Sequence, residues 1–268
     1  MSSVRATPRL LLSTAPFFRL PLREAFRIAR EAGFEAVEVM VTADPATQDG
    51  RIIRRLADEF GLSVEALHAP FLLLTRRVWG TEPVEKIYRA TQVARRAAIG
   101  LVVVHPPYRW QRRYRRWVTT GLAEYSVRSG ITIAVENMFP LRIRGDVGLR
   151  FHVSQDFEDL DRFPHLVIDT SHLAVAGIDM MEAYDRYRTK VVHFHVSNNA
   201  GKGWDSHLPV EQGVLPIADL LETLAEDGFP GTVSLELDLR PYLEDEAALQ
   251  DVLVRNREFC QKRLGVAA

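Results

Sequence analysis

Thr232-Val233-Ser234-Leu235-Glu236-Leu237-Asp238 alternates small or polar side chains with large aliphatic ones. Successive side chains of an extended strand point to opposite faces, so Val233, Leu235 and Leu237 share one face while Thr232, Ser234, Glu236 and Asp238 share the other. The second face is too polar to lie beneath a helix. It suits the lumen of a barrel, whose strands turn alternate residues inward and outward. Ile131-Thr132-Ile133-Ala134-Val135-Glu136 divides in the same way, with Thr132, Ala134 and Glu136 together and the aliphatics facing out. The lumen is therefore expected to carry small and polar residues.

Working outward from these two runs, short β-branched segments alternate with amphipathic ones along the whole chain, the pattern of a parallel sheet covered by helices. Strands are expected at 9–14, 36–41, 63–68, 101–105, 131–136, 166–170, 191–196 and 232–237. Eight such strand–helix units imply a closed (β/α)8 TIM barrel, with a doubly wound open sheet as the alternative. Pro21 is expected to open the first helix, Gly33 and Gly61 to close the first two, and Thr81-Glu82-Pro83 to begin the third. The 268 residues contain no Gly-, Ser- or Pro-rich linker and no shift of composition, so residues 1–268 are expected to form one domain.

Composition, at 47% apolar and 26% charged, excludes a disordered or fibrous chain. Thirty-four Lys plus Arg against 35 Asp plus Glu leave no global field to draw in nucleic acid or an acidic membrane. The single cysteine, Cys260, expected in a C-terminal helix, rules out an intramolecular disulfide and a cysteine-based zinc site, and fits a reducing compartment. With no apolar stretch near the ~18 residues of a membrane span and no leader-like start, a soluble cytoplasmic protein is expected.

Six of the eight histidines fall at or just beyond the expected C-terminal strand ends, the face on which such barrels build active sites. The candidates are His68, His105, Glu136, Asp169, His172, His195, Asp205, His207 and Glu236. Neutral imidazoles and carboxylates converging from several strands are what Zn²⁺ or Mn²⁺ requires, with Mg²⁺ or Co²⁺ as alternatives. Without a cation, Glu136, Asp169, Glu236 and Asp205 would repel one another at a cost of several kcal/mol. His193, two residues before His195 and one layer deeper, is expected to be a packed core histidine. His152 and His165 receive no role. Glu38 shares parity with Ala36 and Met40 and is either a hydrogen-bond acceptor near the site or a satisfied structural carboxylate.

The succession Leu67-His68-Ala69-Pro70, Val104-His105-Pro106, Ala134-Val135-Glu136-Asn137, Asp169-Thr170-Ser171-His172 with Ala176-Gly177, His195-Val196-Ser197-Asn198, Asp205-Ser206-His207 and Leu235-Glu236 resembles the xylose-isomerase-like barrel superfamily over nearly the whole chain. In its sugar isomerases and epimerases, the resemblance implies a single-metal core at Glu136, Asp169, His195 and Glu236, with the two glutamates as the acid/base pair. Its endonuclease IV branch implies further ions at His68 and His105, and at His172, Asp205 and His207, so one to three ions are expected. Related barrels are often dimers or tetramers, but the sequence carries no interface signature.

Two departures count against the endonuclease branch. Asn198 stands where many relatives have an acidic residue, and an apolar Phe71-Leu72-Leu73-Leu74, followed by Arg76, Arg77 and Trp79, replaces an aromatic-polar loop. The run Tyr108-Arg109-Trp110-Gln111-Arg112-Arg113-Tyr114-Arg115-Arg116-Trp117 interleaves basic and aromatic residues, as nucleic-acid surfaces do. Trp110, Tyr114 and Trp117 also fall at helical spacing, which favours a stripe packed on the barrel with its arginines in solvent, or Arg109 or Arg112 holding a phosphate. The expectation is a metal-dependent isomerase or epimerase of a sugar, sugar phosphate or polyol, with Glu136 and Glu236 catalytic and His172, Asn137 and Arg109 as substrate contacts. A phosphodiester hydrolase resembling endonuclease IV is the alternative, a nucleic-acid partner is the less favoured one, and no membrane is expected.

Overall fold

In the computed structural model the parallel strands β1 (Arg9–Ser13), β2 (Ala36–Met40), β3 (Ser63–His68), β4 (Leu101–Val104), β5 (Thr132–Glu136), β6 (Leu166–Asp169), β7 (Val191–Val196) and β8 (Thr232–Leu235) close into one barrel in chain order, β8 pairing with β1. The structure describes residues 6–70, 78–142, 148–149, 151–152 and 157–266, so the Phe71–Leu74 run with Arg76 and Arg77 lies outside the described residues. The open-sheet alternative is excluded. The strands end within two residues of the expected boundaries; Thr170, assigned to a strand from sequence, begins a helix instead, because Asp169 caps it by accepting the His172 N–H through Oδ1 at 2.9 Å.

The outer layer comprises α1 (Leu22–Glu31), α2 (Gly50–Phe60), α3 (Pro83–Ala97), α4 (Arg112–Thr120), α5 (Leu122–Ser129), α6 (Thr170–Ala176), α7 (Met180–Tyr187), α8 (Ile217–Asp227) and α9 (Glu246–Leu264). Their punctuation follows the sequence. Pro21 precedes α1, Gly33 (φ 79°) follows its end, Gly61 closes α2 at φ 64°, and Pro83 is the first residue of α3. Asp44 ties two elements together, accepting the Ala46 N–H and, at 2.7 Å, the Leu22 N–H at the start of α1. Cys260 is buried in α9. No helix among the described residues is long and apolar enough to cross a membrane.

Val233, Leu235 and Leu237 pack under the helices with Ile131, Ile133 and Val135, as their parity requires. The lumen differs from expectation in one respect. It is only partly polar: Leu11, Leu101, Val103 and Val167 with Ala36, Ala66 and Ala134 form an aliphatic cluster within it, beside the buried Ser234 and His193. Register shifts between Val37 and Glu38 and between Leu166 and Val167 aim Glu38, His193 and His195 into the polar layer.

Candidate metal centre

Four strand ends bring the polar layer together around Glu136. Its Oε2 lies 3.1 Å from His105 Nε2 and 3.4 Å from His68 Nε2, while Oε1 lies 3.1 Å from His195 Nδ1 and 3.4 Å from His172 Nδ1. One carboxylate thus joins two sets of imidazoles. On its far side His195 Nδ1 also faces Glu236 Oε2 at 3.3 Å and Asp169 Oδ2 at 3.9 Å. Beyond these, Asp205 Oδ2 sits 2.8 Å from His207 Nε2 and 3.4 Å from His172 Nε2. Ligand atoms close enough to share one ion occur in His68/His105/Glu136, in Glu136/Asp169/His195 and in Asp169/His172/His207.

Second partners decide which nitrogen of each ring faces inward. His68 Nδ1 contacts the Ala69 carbonyl at 2.7 Å, His172 Nδ1 the Asn137 carbonyl at 2.9 Å, and His207 Nδ1 the Glu236 carbonyl at 2.9 Å. A carbonyl only accepts, so each Nδ1 carries the hydrogen and each Nε2 keeps a lone pair directed at the carboxylates. His195 is reversed: Glu38 Oε1 takes its Nε2–H at 3.1 Å, leaving Nδ1 free to face Glu136, Asp169 and Glu236.

Two buried oxygens give the clearest test of whether this set fits a cation. Asp169 Oδ2 and Glu236 Oε2 have no hydrogen-bond partner among the described residues, although both lie near His195 Nδ1. Orphaned buried carboxylate oxygens are costly. Oxygens and imidazole lone pairs converging on one point are the donor set of a divalent ion, and the residues fit it. Protons otherwise carry the compensating charge. Burial alone would lower His195, but the charges of Glu38, Glu236 and Glu136 hold it well above the ordinary imidazole value. Burial is likewise outweighed at His172 by Asp169 and Asp205, and at His207, which is raised to about 9 by Asp169 and Asp205. Glu136 would be pushed up by burial, yet the His195 charge and the hydrogen bonds from His105, His195 and His68 hold it well below the carboxylate range. Glu236 goes the other way, raised by burial against the pull of His195 and His207.

The structure therefore brings together His68, His105, Glu136, Asp169, His172, His195, Asp205, His207 and Glu236. Asn137 lies buried among them, its amide committed to the Asp169 backbone: Oδ1 accepts the Asp169 N–H at 2.7 Å and Nδ2 donates to the Asp169 carbonyl at 3.2 Å. Arg109 is exposed, joined to the Phe151 carbonyl through its backbone N–H at 2.8 Å. Trp110 does not belong to the expected helical stripe. It precedes α4, is 59% exposed and stacks on Tyr108, whereas Tyr114 is buried and donates its hydroxyl to the His105 carbonyl at 2.7 Å. Arg112, Arg115 and Arg116 instead line, with Arg162, a separate cavity of about 500 Å³.

His193 is a satisfied core histidine, as expected, 2.6 Å from Thr232 Oγ1 and 3.3 Å from Glu38 Oε2. Other supporting residues escaped the sequence. His152 is buried against Tyr108, bonded to the Pro106 carbonyl at 3.0 Å and lowered by burial to about 4. Ser171 Oγ donates to Asp205 Oδ1 at 2.6 Å and receives a hydrogen from Asn199 Nδ2 at 2.9 Å. Asn198, by contrast, is a loop clamp, bonded to the backbone of Val210, Leu215 and Asn199. His207 holds a left-handed backbone at φ 40°, kept by the hydrogen bond from Asp238 N to its carbonyl at 2.7 Å.

A family described as a xylose isomerase-like TIM barrel matches residues 26–256. The chain belongs to this family. An uncharacterised protein of Mycobacterium leprae is 34% identical over 277 residues, covering 96% of this chain and 99% of that one. Among solved structures, a D-tagatose 3-epimerase-like protein superposes with a TM-score of 0.72 at 20% identity, over 95% of this chain and 99% of its own. A 3-keto-D-glucoside 4-epimerase from E. coli does so with a TM-score of 0.69 at 18% identity, over 94% and 99%. At these identities the structural likeness shows the fold, and the solved neighbours of this xylose isomerase-like barrel include sugar epimerases.

Proposed function

We propose that the protein is a divalent-metal-dependent isomerase or epimerase of a sugar, sugar phosphate or related polyol, moving a proton at carbon next to a carbonyl. The observation that carries this reading is that Glu136 Oε1 and Glu236 Oε2 stand 3.1 and 3.3 Å from the same atom, His195 Nδ1. They reach it from β5 and from the end of β8, three strand positions apart in the closed barrel. Carboxylates so placed flank a substrate from two sides. One accepts the proton from one face of the carbon while the other returns a proton, the exchange that inverts a stereocentre or shifts a carbonyl.

A bound Zn²⁺ or Mn²⁺, held by Glu136, Asp169, His195 and Glu236, would supply Lewis acidity that makes the carbon acid enough to be deprotonated. Glu38 holds the His195 ring so that Nδ1 faces the carboxylates. Glu236 borders the open cavity and is raised by burial, the direction that suits a proton carrier. With its lone cysteine buried, the chain suits a reducing compartment such as the cytoplasm, acting on a small carbohydrate. Incubating the metal-loaded protein with a ketose panel in deuterium oxide tests the proposal. Deuterium appearing at one carbon supports it, and no exchange with any ketose despite full loading contradicts it.

A second reading is favoured by the two further ligand groups, His68/His105 with Glu136 and Asp169/His172/His207 beside Asp205. Three adjacent ions would suit a phosphodiester hydrolase resembling endonuclease IV. It requires nicking of abasic-site DNA that chelation abolishes.

A further inference from the structure

The cavity beside the ligand cluster has two unlike ends. It encloses about 790 Å³, within the roughly 300–1,000 Å³ of pockets that take drug-sized ligands. A single monosaccharide ring occupies only a small part of that. Asp205, His207 and Glu236 line the end nearest the barrel axis. The walls come from the segments following β1, β2 and β8, and they are apolar, with Phe18, Leu20, Met40, Val78, Leu239 and Leu243 facing the space.

Two of these side chains stand out because folding leaves them uncovered. Phe18 is 52% and Leu243 37% exposed, and both border this cavity. Large apolar groups left open beside a polar centre mark a surface that a ligand covers. Outside the ligand cluster, the charged residues lining the cavity are Arg19, Asp238 and Arg240. Arg19 lies with its guanidinium 5.4 Å from the Phe18 ring centroid, and Arg240 is paired with Asp238 at 2.6 Å. Polar floor and apolar wall together describe an amphipathic occupant: a hydroxyl-rich head against Glu236 and His207, and an apolar body against Phe18, Met40 and Leu243.

We propose that the substrate is a sugar that keeps a carbonyl and carries an apolar group about the size of a ring on another carbon, rather than a free monosaccharide. This deepens the isomerase reading and rests on it for the role of the polar end. The apolar wall lies outside the ligand cluster, so binding can be measured apart from turnover.

The test is calorimetric titration of the zinc-loaded full chain with methyl and phenyl β-D-glucoside, which carry no carbonyl and are not turned over. The phenyl compound is expected to bind about tenfold or more tightly than the methyl one. Phe18→Ser and Leu243→Ser, both at exposed positions that folding tolerates, are expected to cut that ratio by about threefold or more. Equal affinities, no measurable binding of the phenyl compound, or a ratio unchanged in both variants would overturn the proposal. Deuterium exchange separates its failure from that of the isomerase reading. Phenyl preference without exchange into any sugar removes the isomerase and keeps the apolar subsite, whereas exchange without preference does the reverse.

Discussion

Glu38 Oε1 lies 3.1 Å from His195 Nε2, and neither side chain is more than 1% exposed. The carboxylate is shared, its Oε2 lying 3.3 Å from His193 Nε2, and the two histidine charges together with their hydrogen bonds outweigh burial to keep it ionised. Glu38 therefore decides which His195 nitrogen is left for an ion. Glu38→Gln keeps the shape but weakens the hold on the Nε2–H, and divalent-ion affinity is expected to fall by about 10–100-fold. Competition against a chromophoric chelator measures this; unchanged affinity would assign Glu38 to core packing alone.

Glu236→Gln retains hydrogen-bonding capacity and removes the proton carrier. Exchange of substrate hydrogen with solvent is expected to slow by about 10²–10⁴-fold. Glu136→Gln is expected to cost at least as much, and of these two ligands to release the more metal, because Glu136 touches His68, His105, His172 and His195. Exchange rates and metal content read on the same preparations distinguish the two. A Glu236→Gln protein that exchanges at the wild-type rate would dismiss the pair.

The ion-free protein is expected to lose stability as pH rises. His207 is held at about 9, above the ~6.5 of an unfolded imidazole, so the folded chain keeps a proton the unfolded chain has released. Its contribution is complete below about pH 6.5 and gone above about pH 9, at most about 3 kcal/mol from this group. His172 and His195, also raised, act in the same direction. Urea midpoints in chelator at pH 6, 7.5 and 9 should therefore decline. With a divalent ion present the decline is expected to vanish, since ligation needs deprotonated imidazoles.

Two changes outside the site test the barrel itself. A Cβ on Gly50 would lie 2.2 Å from the Val93 carbonyl oxygen and 2.8 Å from Ala97 N, so Gly50→Ala is expected to cost about 1–3 kcal/mol by forcing α2 from α3. Ala98 ends α3 in a left-handed conformation at φ 61°, where a side chain is strained, and Ala98→Gly should gain about 0.5–1 kcal/mol. Thermal unfolding of both variants reads the opposite signs.

Parity and punctuation made the barrel legible in advance, because both are local. The alternation in Thr232–Asp238 assigned an inner and an outer face without knowledge of any neighbour. That most candidates gather at one rim was legible for a related reason, since they stand at or just beyond the C-terminal ends of strands. What escaped depends on contacts between distant segments. Glu38 reaches His193 and His195 across 155 and 157 residues, so nothing beside it in sequence marks its partner. The aliphatic part of the lumen follows from Leu11, Leu101, Val103 and Val167 meeting across the barrel, which register settles and composition does not. Trp110 fits the helical spacing of Tyr114 and Trp117, but α4 starts two residues after it, and its ring stacks on Tyr108.

The proposed chemistry depends on a cation seated where Glu136, Asp169, His195 and Glu236 converge. Anomalous diffraction from crystals grown with zinc, recorded on both sides of its absorption edge, addresses this most directly. A peak about 2.0–2.3 Å from His195 Nδ1 and from carboxylate oxygens of Glu136, Asp169 and Glu236 is predicted. Full zinc in the crystallisation medium with no peak there, and the same side chains paired only with one another, would contradict it.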